Sequence, residues 1–349
     1  MVTHFTVSDM DKDENTLSRR LSVKLGTAGD LKFQTPTKVG LKDVTELPLY
    51  EAHIGIKPET IRKILESESF DRSYGRKLKE RCKGNFNILN LEYNGKEVPT
   101  DKMVTALSDT QYGHTDIIVT PSWFELISSK NSVNVDLYMK LTKSYLDAAM
   151  TRNHKPIFGT IPQCIPPGEL DRVLKSYIDQ DVTSFVVDSH GRTLMSGSWI
   201  RAFQRSIGQY NIESECLLYS INAYQGAVRK TDPSIEAKDF IGFTAGFDII
   251  GGKHNTKFPP QADTNNDLKV ARIFKRDTYL YEKSNCSLDE KRAIDNQSVR
   301  DQYSELAVVR DAISEGCINN LLNDKQISRE TINIIKSFKD RTTVLDDFI

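Results

Sequence analysis

The sequence predicts an α/β protein, a TIM (β/α)₈ barrel with an N-terminal β-hairpin and C-terminal helices. Three observations point there. Short, wholly apolar runs rich in Ile, Val and Phe recur along the chain, and such strands belong to a parallel sheet covered on both faces. Between them lie stretches with apolar residues at helical spacing. The length, 349 residues, holds the ~250 residues of a usual barrel core with elements to spare at each end.

Residues 1–20 are charge-rich with little apolar pattern, so a mobile tail is expected. LSVKLGTAGDLKFQTP then shows two alternating runs around Gly26-Thr27-Ala28-Gly29, the pattern of a β-hairpin. A weak strand is expected near 39–41. KPETIRKILESE opens a helix with Pro58 in its first turn and Ile61, Ile64 and Leu65 on one face. Strands are expected at FNILNL (86–91), DIIVT (116–120), PIFGTI (156–161), SFVVD (184–188), CLLYSIN (216–222) and FDIIGG (247–252). Helices are expected between them at 101–109, 132–153, PPGELDRVLKSYIDQ and 195–209. The count is seven strands where a barrel needs eight. Two packed helices over 297–323 and 327–338 end the chain. The expected organisation is a tail over 1–20, a barrel domain over 21–323 and a helical extension over 324–349.

Composition narrows the function classes. Hydrophobic residues at 38% and charged ones at 27% exclude wholesale disorder and fibrous repeats. Lys plus Arg number 47 against 48 for Asp plus Glu, so a polyanion would need a local basic face. No apolar run reaches the length of a membrane span. MVTHFTVSDMDKDENTLSRR lacks the apolar core of a secretory signal. Five scattered cysteines (Cys82, Cys164, Cys216, Cys286, Cys317) suit reduced thiols. A cytoplasmic location follows as the expectation, that of the host cell if the chain is viral, with no membrane partner.

In a barrel, reactive groups lie just after the strands. That rule selects Gln163 after 156–161, Asp188-Ser189-His190-Gly191-Arg192 after 184–187, Tyr219 and Asn222 near the end of 216–221, and Asp248 to His254 at the last strand. Asp188 reads either as a nucleophile or base with an imidazole beside it or as the cap of the next helix. Asp248, inside an apolar strand, needs a partner or a role; a structural salt bridge and catalysis both satisfy that. Gly251-Gly252-Lys253 reads as a phosphate cradle or as a plain turn. Arg272, Lys275 and Arg276, interleaved with Phe274, Tyr279 and Tyr281, suit a nucleic-acid backbone or a solvated helix face. Nucleotide and dinucleotide fingerprints are absent. No C-x-x-C or H-E-x-x-H occurs, so no metal site and no cofactor are expected.

Several segments resemble the tRNA-guanine transglycosylases and their DNA-acting relatives, which insert 7-deazaguanine bases. Tyr303-Ser-Glu-Leu-Ala-Val-Val-Arg-Asp-Ala-Ile-Ser-Glu-Gly316 is similar to that family's late helix. Gly29 with Thr35-Pro36 resembles its opening. Gly113-His-Thr-Asp-Ile-Ile-Val119, Phe158-Gly-Thr-Ile161 and Ala245-Gly-Phe-Asp248 resemble successive barrel strands in the right order. The likeness spans about residues 21–323 in short pieces. The family's Asp-Ser-Gly-Gly-Phe-Gln loop falls near Leu89–Gly95, where Glu92 is the only acid. Its nucleophilic Asp falls on Gly251, and its Val-Gln-Gly-Gly stretch on Ile161-Pro-Gln-Cys164. In its zinc region only Cys286 remains, with Gln297 where a ligand histidine would stand.

The resemblance implies exchange of guanine in DNA or tRNA for a 7-deazaguanine base through an Asp nucleophile. Asp188 and Asp248 are the candidates for that role. Gln163, His190, Asn222 and Tyr219 are expected at the base, and Arg272, Lys275 and Arg276 at the nucleic acid. The alternative is a non-catalytic barrel subunit that partners a transglycosylase or binds nucleic acid. Homo- and heterodimers fit either reading.

Overall fold

The computed structural model describes residues 5–25, 31–129, 132–152, 155–226, 234–254 and 269–338. Three antiparallel strands open it, β1 (Phe5–Lys12), β2 (Arg19–Leu25) and β3 (Leu31–Gln34), in the order β1-β2-β3. The β2–β3 pair is the expected hairpin; its turn at 26–29 lies outside the described residues. β1 stands where a mobile tail was expected. Its acids break the apolar pattern, yet its backbone pairs with β2 from Phe5↔Leu25 to Lys12↔Arg19, and Val7 packs against the apolar side of the sheet.

Strand–helix units follow. They are β4 (Thr37–Lys38), β5 (Tyr50–Ile56), α1 (Pro58–Glu66), α2 (Glu68–Arg81), β6 (Asn87–Tyr93) and α3 (Asp101–Tyr112). Next come β7 (Ile118–Val119), α4 (Phe124–Ile127), α5 (Val135–Met150), β8 (Ile157–Pro162), α6 (Leu170–Ile178), β9 (Ser184–Asp188) and α7 (Gly197–Gln209). β10 (Leu218–Ile221), β11 (Ser234–Glu236) and β12 (Ile249–Ile250) complete the alternating region. Local chemistry sets the boundaries. Pro58 opens α1, and the Thr100 and Asn134 side chains cap α3 and α5.

The protein is mixed α/β. Six parallel strands form one sheet in the order β4-β12-β10-β9-β8-β7, and β5-β6 form a second parallel pair. Isolated parallel bridges at Gly40↔Tyr50, Ile88↔Ile117 and Glu92↔Ser122 join the two. The strand ladder therefore runs as six plus two rather than as one continuous ring of eight. The weak strand expected at 39–41 lies slightly earlier, at 37–38. β5 went unexpected, because Glu51 and His53 interrupt its apolar run.

A third sheet, β11-β14-β13, holds β13 (Lys269–Lys275) and β14 (Leu280–Cys286) as an antiparallel pair. It stands where the sequence suggested a helix face. α8 (Leu288–Ser314) starts well before 297, at a capping box of Ser287 and Glu290. α9 (Ile318–Asn323) and α10 (Arg329–Ser337) follow. Most of the extension beyond α10 lies outside the described residues. No helix among them is long and apolar enough to cross a membrane.

The strands separate two apolar clusters. Leu89, Leu91, Phe185 and Val187 pack with the helices. Their neighbours Ile88 and Val186 join Tyr219, Ile249 and the β2–β3 residues Leu21, Val23 and Phe33 in a second cluster. This is the two-residue alternation of a strand. The N-terminal sheet thus covers one end of the parallel strands.

Asp248 secures that cover. Its carboxylate accepts from Arg19 Nε at 2.8 Å, from Arg19 Nη2 at 2.5 Å and from the Leu218 backbone N–H at 2.7 Å. Arg19 also donates to the carbonyls of Glu213 and Cys216. Burial opposes charge on Arg19, but the adjoining Asp248 carboxylate outweighs it and raises the guanidinium pKa. Both side chains are almost fully enclosed. Asp248 thus makes the buried salt bridge that is one of its two readings, at the end of β10 away from the other candidate residues. Asp248→Asn should destabilise the protein by about 3–5 kcal/mol, since it leaves a buried guanidinium uncompensated. A urea unfolding midpoint equal to wild type would contradict this role.

Candidate active site

At the opposite end of β10, polar side chains gather. β9 ends at Asp188, which is level with Ile221. Its Oδ1 accepts from the His190 backbone N–H and from Asn222 Nδ2, each at 3.0 Å, and its Oδ2 accepts from Ser122 Oγ at 2.8 Å. His190 and Asn222 both hold positive φ, 44° and 56°. Left-handed backbone at a non-glycine residue costs about 1–3 kcal/mol and clusters at functional sites. Here both strained residues grip the same carboxylate.

From Asp188 the cluster runs across to β5 and β6. The His190 ring stacks on Phe124, and its Nδ1 lies 3.9 Å from Glu92 Oε1. Glu92 Oε2 is 3.5 Å from His53 Nε2. His53 stacks face to face on His254, with ring centroids 4.8 Å apart. His254 Nε2 hydrogen-bonds Glu51 Oε1, and the His254 backbone N–H donates to Asn222 Oδ1 at 2.9 Å. Three carboxylates and three imidazoles, on β5, β6, β9 and the loops after β9 and β12, form one cluster.

Burial lowers the His53 pKa to about 3, and the neighbouring His254 and His190 push the same way. The ring is therefore neutral near pH 7 despite Glu92. Lys38 is buried with its Nζ donating to the Gly251 carbonyl at 2.5 Å. Burial lowers its pKa, against the pull of Asp239 and Glu51.

The other expected site residues divide. Gln163 lies beside Asp188, donating its backbone N–H to the Asp188 carbonyl and its side-chain amide to the Thr193 carbonyl. Its Oε1 is buried with no hydrogen-bond partner among the described residues. Tyr219 is buried, and its hydroxyl accepts from Asn90 at 3.4 Å. Asp188, His190, Asn222 and Gln163 are thus brought together, and Asp248 is not. The basic trio is not an open patch. Arg272 donates to Gln225 and to the Gly226 carbonyl, Lys275 pairs with Glu282, and Arg276 pairs with Glu305. The Gly251 and Gly252 N–H groups already donate to the Ser220 carbonyl and to Glu51, which removes the phosphate cradle.

Sequence reasoning missed Glu51 and His53 and did not select Glu92. All three sit on strands rather than after them. Their signal was the i, i+2 spacing of Glu51-x-His53 and Asn90-x-Glu92 within apolar runs, which marks one face of a strand.

A cavity of about 880 Å³ reaches Glu51, His53 and His254. Its outer wall carries Lys42, Lys77, Arg81, Lys83, Lys291 and Arg292 against Asp43, Glu80 and Asp295. Asp43 and Asp295 each lie between two of these cations. Lys77 and Arg81, one turn apart on α2, are exposed and make no ion pair among the described residues.

Where the resemblance implies zinc, the Cys286 thiol donates to the Lys269 carbonyl and Gln297 donates to Asp301. That is no zinc donor set. Among the described residues, no three His, Cys, Asp or Glu side chains are placed to hold a metal. No protein-family model and no curated protein matches the chain.

The His53 shift gives a pH prediction. A histidine with a depressed folded pKa binds fewer protons folded than unfolded, so stability falls as pH drops below 6.5. Between pH 6.5 and 5, wild type should lose up to about 1.4 kcal/mol per pH unit more than His53→Gln. Parallel urea titrations would show it, and equal slopes would refute a buried neutral His53.

Proposed function

We propose that this chain is a base-exchange transglycosylase that replaces guanine in DNA or tRNA with a 7-deazaguanine base. The observation that carries the reading is the convergence of Asp188, Glu92 and Glu51 with three imidazoles in one cluster, whose Glu51, His53 and His254 edge lines a cation-walled cavity. Base exchange needs a carboxylate to attack the anomeric carbon as guanine leaves, and groups that move a proton between the departing and incoming bases. Asp188 supplies the carboxylate, oriented by Ser122, Asn222 and the His190 N–H. The carboxylate–carbon bond forms as the bond to guanine breaks, and the incoming base reverses both changes. Gln163, beside Asp188 and with an Oε1 that has no hydrogen-bond partner among the described residues, reads a base edge in this scheme.

The eight parallel strands, joined by bridges at Gly40↔Tyr50, Ile88↔Ile117 and Glu92↔Ser122, favour reading the two sheets as one barrel. Its carboxyl rim would then be the site. The cations on the cavity wall suit phosphates flanking an extruded nucleotide. The order of segments resembling the transglycosylases supports the same reading.

A second reading, a nucleic-acid-binding subunit without chemistry, has one observation in its favour: both Asp188 oxygens are already hydrogen-bonded. Incorporation of radiolabelled guanine into tRNA and duplex DNA separates the two. Exchange by wild type, with a loss on the order of 10⁴-fold in Asp188→Asn, supports the enzyme. Binding without exchange supports the subunit. Lys77→Glu with Arg81→Glu should weaken oligonucleotide binding and lower its salt slope by about 1.4 for a single strand, measured by fluorescence anisotropy.

A further inference from the structure

We infer that His254 is the proton-transferring group of this site, and that the Gly251-Gly252 pair makes room for the Glu51 carboxylate that orients it. The inference rests on the transglycosylase reading for its substrate, but its geometry stands on this chain alone.

Glu51 is a wholly enclosed side chain. Its Oε1 accepts from the Gly252 N–H at 2.9 Å and bonds His254 Nε2. Its Oε2 is buried with no hydrogen-bond partner among the described residues. A Cβ on residue 251 would stand 2.6 Å from Oε2, and one on residue 252 would stand 2.9 Å from Oε1. Real Cβ atoms do not approach so closely. Glycine is therefore required at 251, where the Ser220 carbonyl also stands 2.4 Å from the Cβ position, whereas at 252 the ends of the Leu41 and Glu51 side chains would have to shift.

With Glu51 as the accepting carboxylate, Nε2 donates and carries the hydrogen. That fixes the tautomer and leaves Nδ1 as the accepting nitrogen. His254 lines the cavity and is about one-fifth exposed. Neutral His53 packs on its ring, Asn222 holds its backbone, and Lys38 lies behind Glu51. In base exchange Nδ1, loaded with a proton from solvent while Nε2 stays on Glu51, gives that proton to the departing guanine, and the ring, then carrying hydrogen on Nε2 alone, takes a proton at Nδ1 from the incoming base. The proton count closes over one cycle. His254 is the catalytic residue here, and Glu51 is its positioning residue.

NMR of protein carrying ¹⁵N-labelled histidine tests this without substrate. Wild type should show His254 with hydrogen on Nε2 near pH 7, and Glu51→Gln and Gly252→Ala should each abolish that preference. Gly252→Ala meets mainly the flexible Leu41 side chain and the carboxylate, so it retains the fold; a thermal melt checks that. His254→Gln should lose about 10²–10⁴-fold in exchange with oligonucleotide binding unchanged. Hydrogen on Nδ1 in wild type, or exchange within twofold of wild type in His254→Gln, overturns the inference. The expected tautomer in a protein that exchanges no base supports the Glu51–His254 pair and ends the transglycosylase reading instead.

Discussion

One buried ion pair decides which end of this molecule is available. Arg19 and Asp248 lie 229 residues apart in sequence and meet in a bidentate contact that solvent barely reaches. Removing two charges from water is costly, and the pair is retained because three backbone groups complete its hydrogen bonds. The contact holds β2 against the starts of β10 and β12. Leu21, Val23 and Phe33 can then bury against Ile88, Val186 and Ile249. The amino ends of the parallel strands are thereby filled, and the acid and imidazole groups gather beyond the ends of β9 and β12.

The same constraint explains what was legible in the sequence. α6 and β9 were plain because Leu170, Val173, Leu174 and Tyr177 share one helix face and SFVVD is apolar up to its last residue. β5 was hidden because Glu51 and His53 break its apolar run, so the residues that build the site also masked the strand that carries them. Asp188 and Asp248 looked alike on paper, each an acid beside paired aliphatic residues. Asp188 ends its strand and Asp248 precedes Ile249 and Ile250. That difference of end separates the candidate site from the structural ion pair. The partner that settles it, Arg19, has no local signature. The late basic cluster is engaged at long range too: Lys275 and Arg276 find Glu282 on β14 and Glu305 on α8, and Arg272 donates to Gln225 and the Gly226 carbonyl.

The site itself is a connected series: Glu51 bonds His254, His254 stacks on His53, Glu92 lies between the His53 and His190 rings, and the His190 backbone N–H reaches Asp188. Burial holds His53 neutral between the two edges of the cluster. One edge meets the cavity and the other meets the strained turns at His190 and Asn222.

The glycine at 251 has a consequence for how this chain could diverge. Any side chain there would collide with Glu51 and also with the Ser220 carbonyl, 2.4 Å from the Cβ position. Positions 51 and 251 thus exclude each other as acid bearers. Moving the acid to the later strand would require shortening residue 51 and displacing β10 in concert. No single substitution connects the two arrangements, so a lineage that had settled on one would be held there by sterics alone.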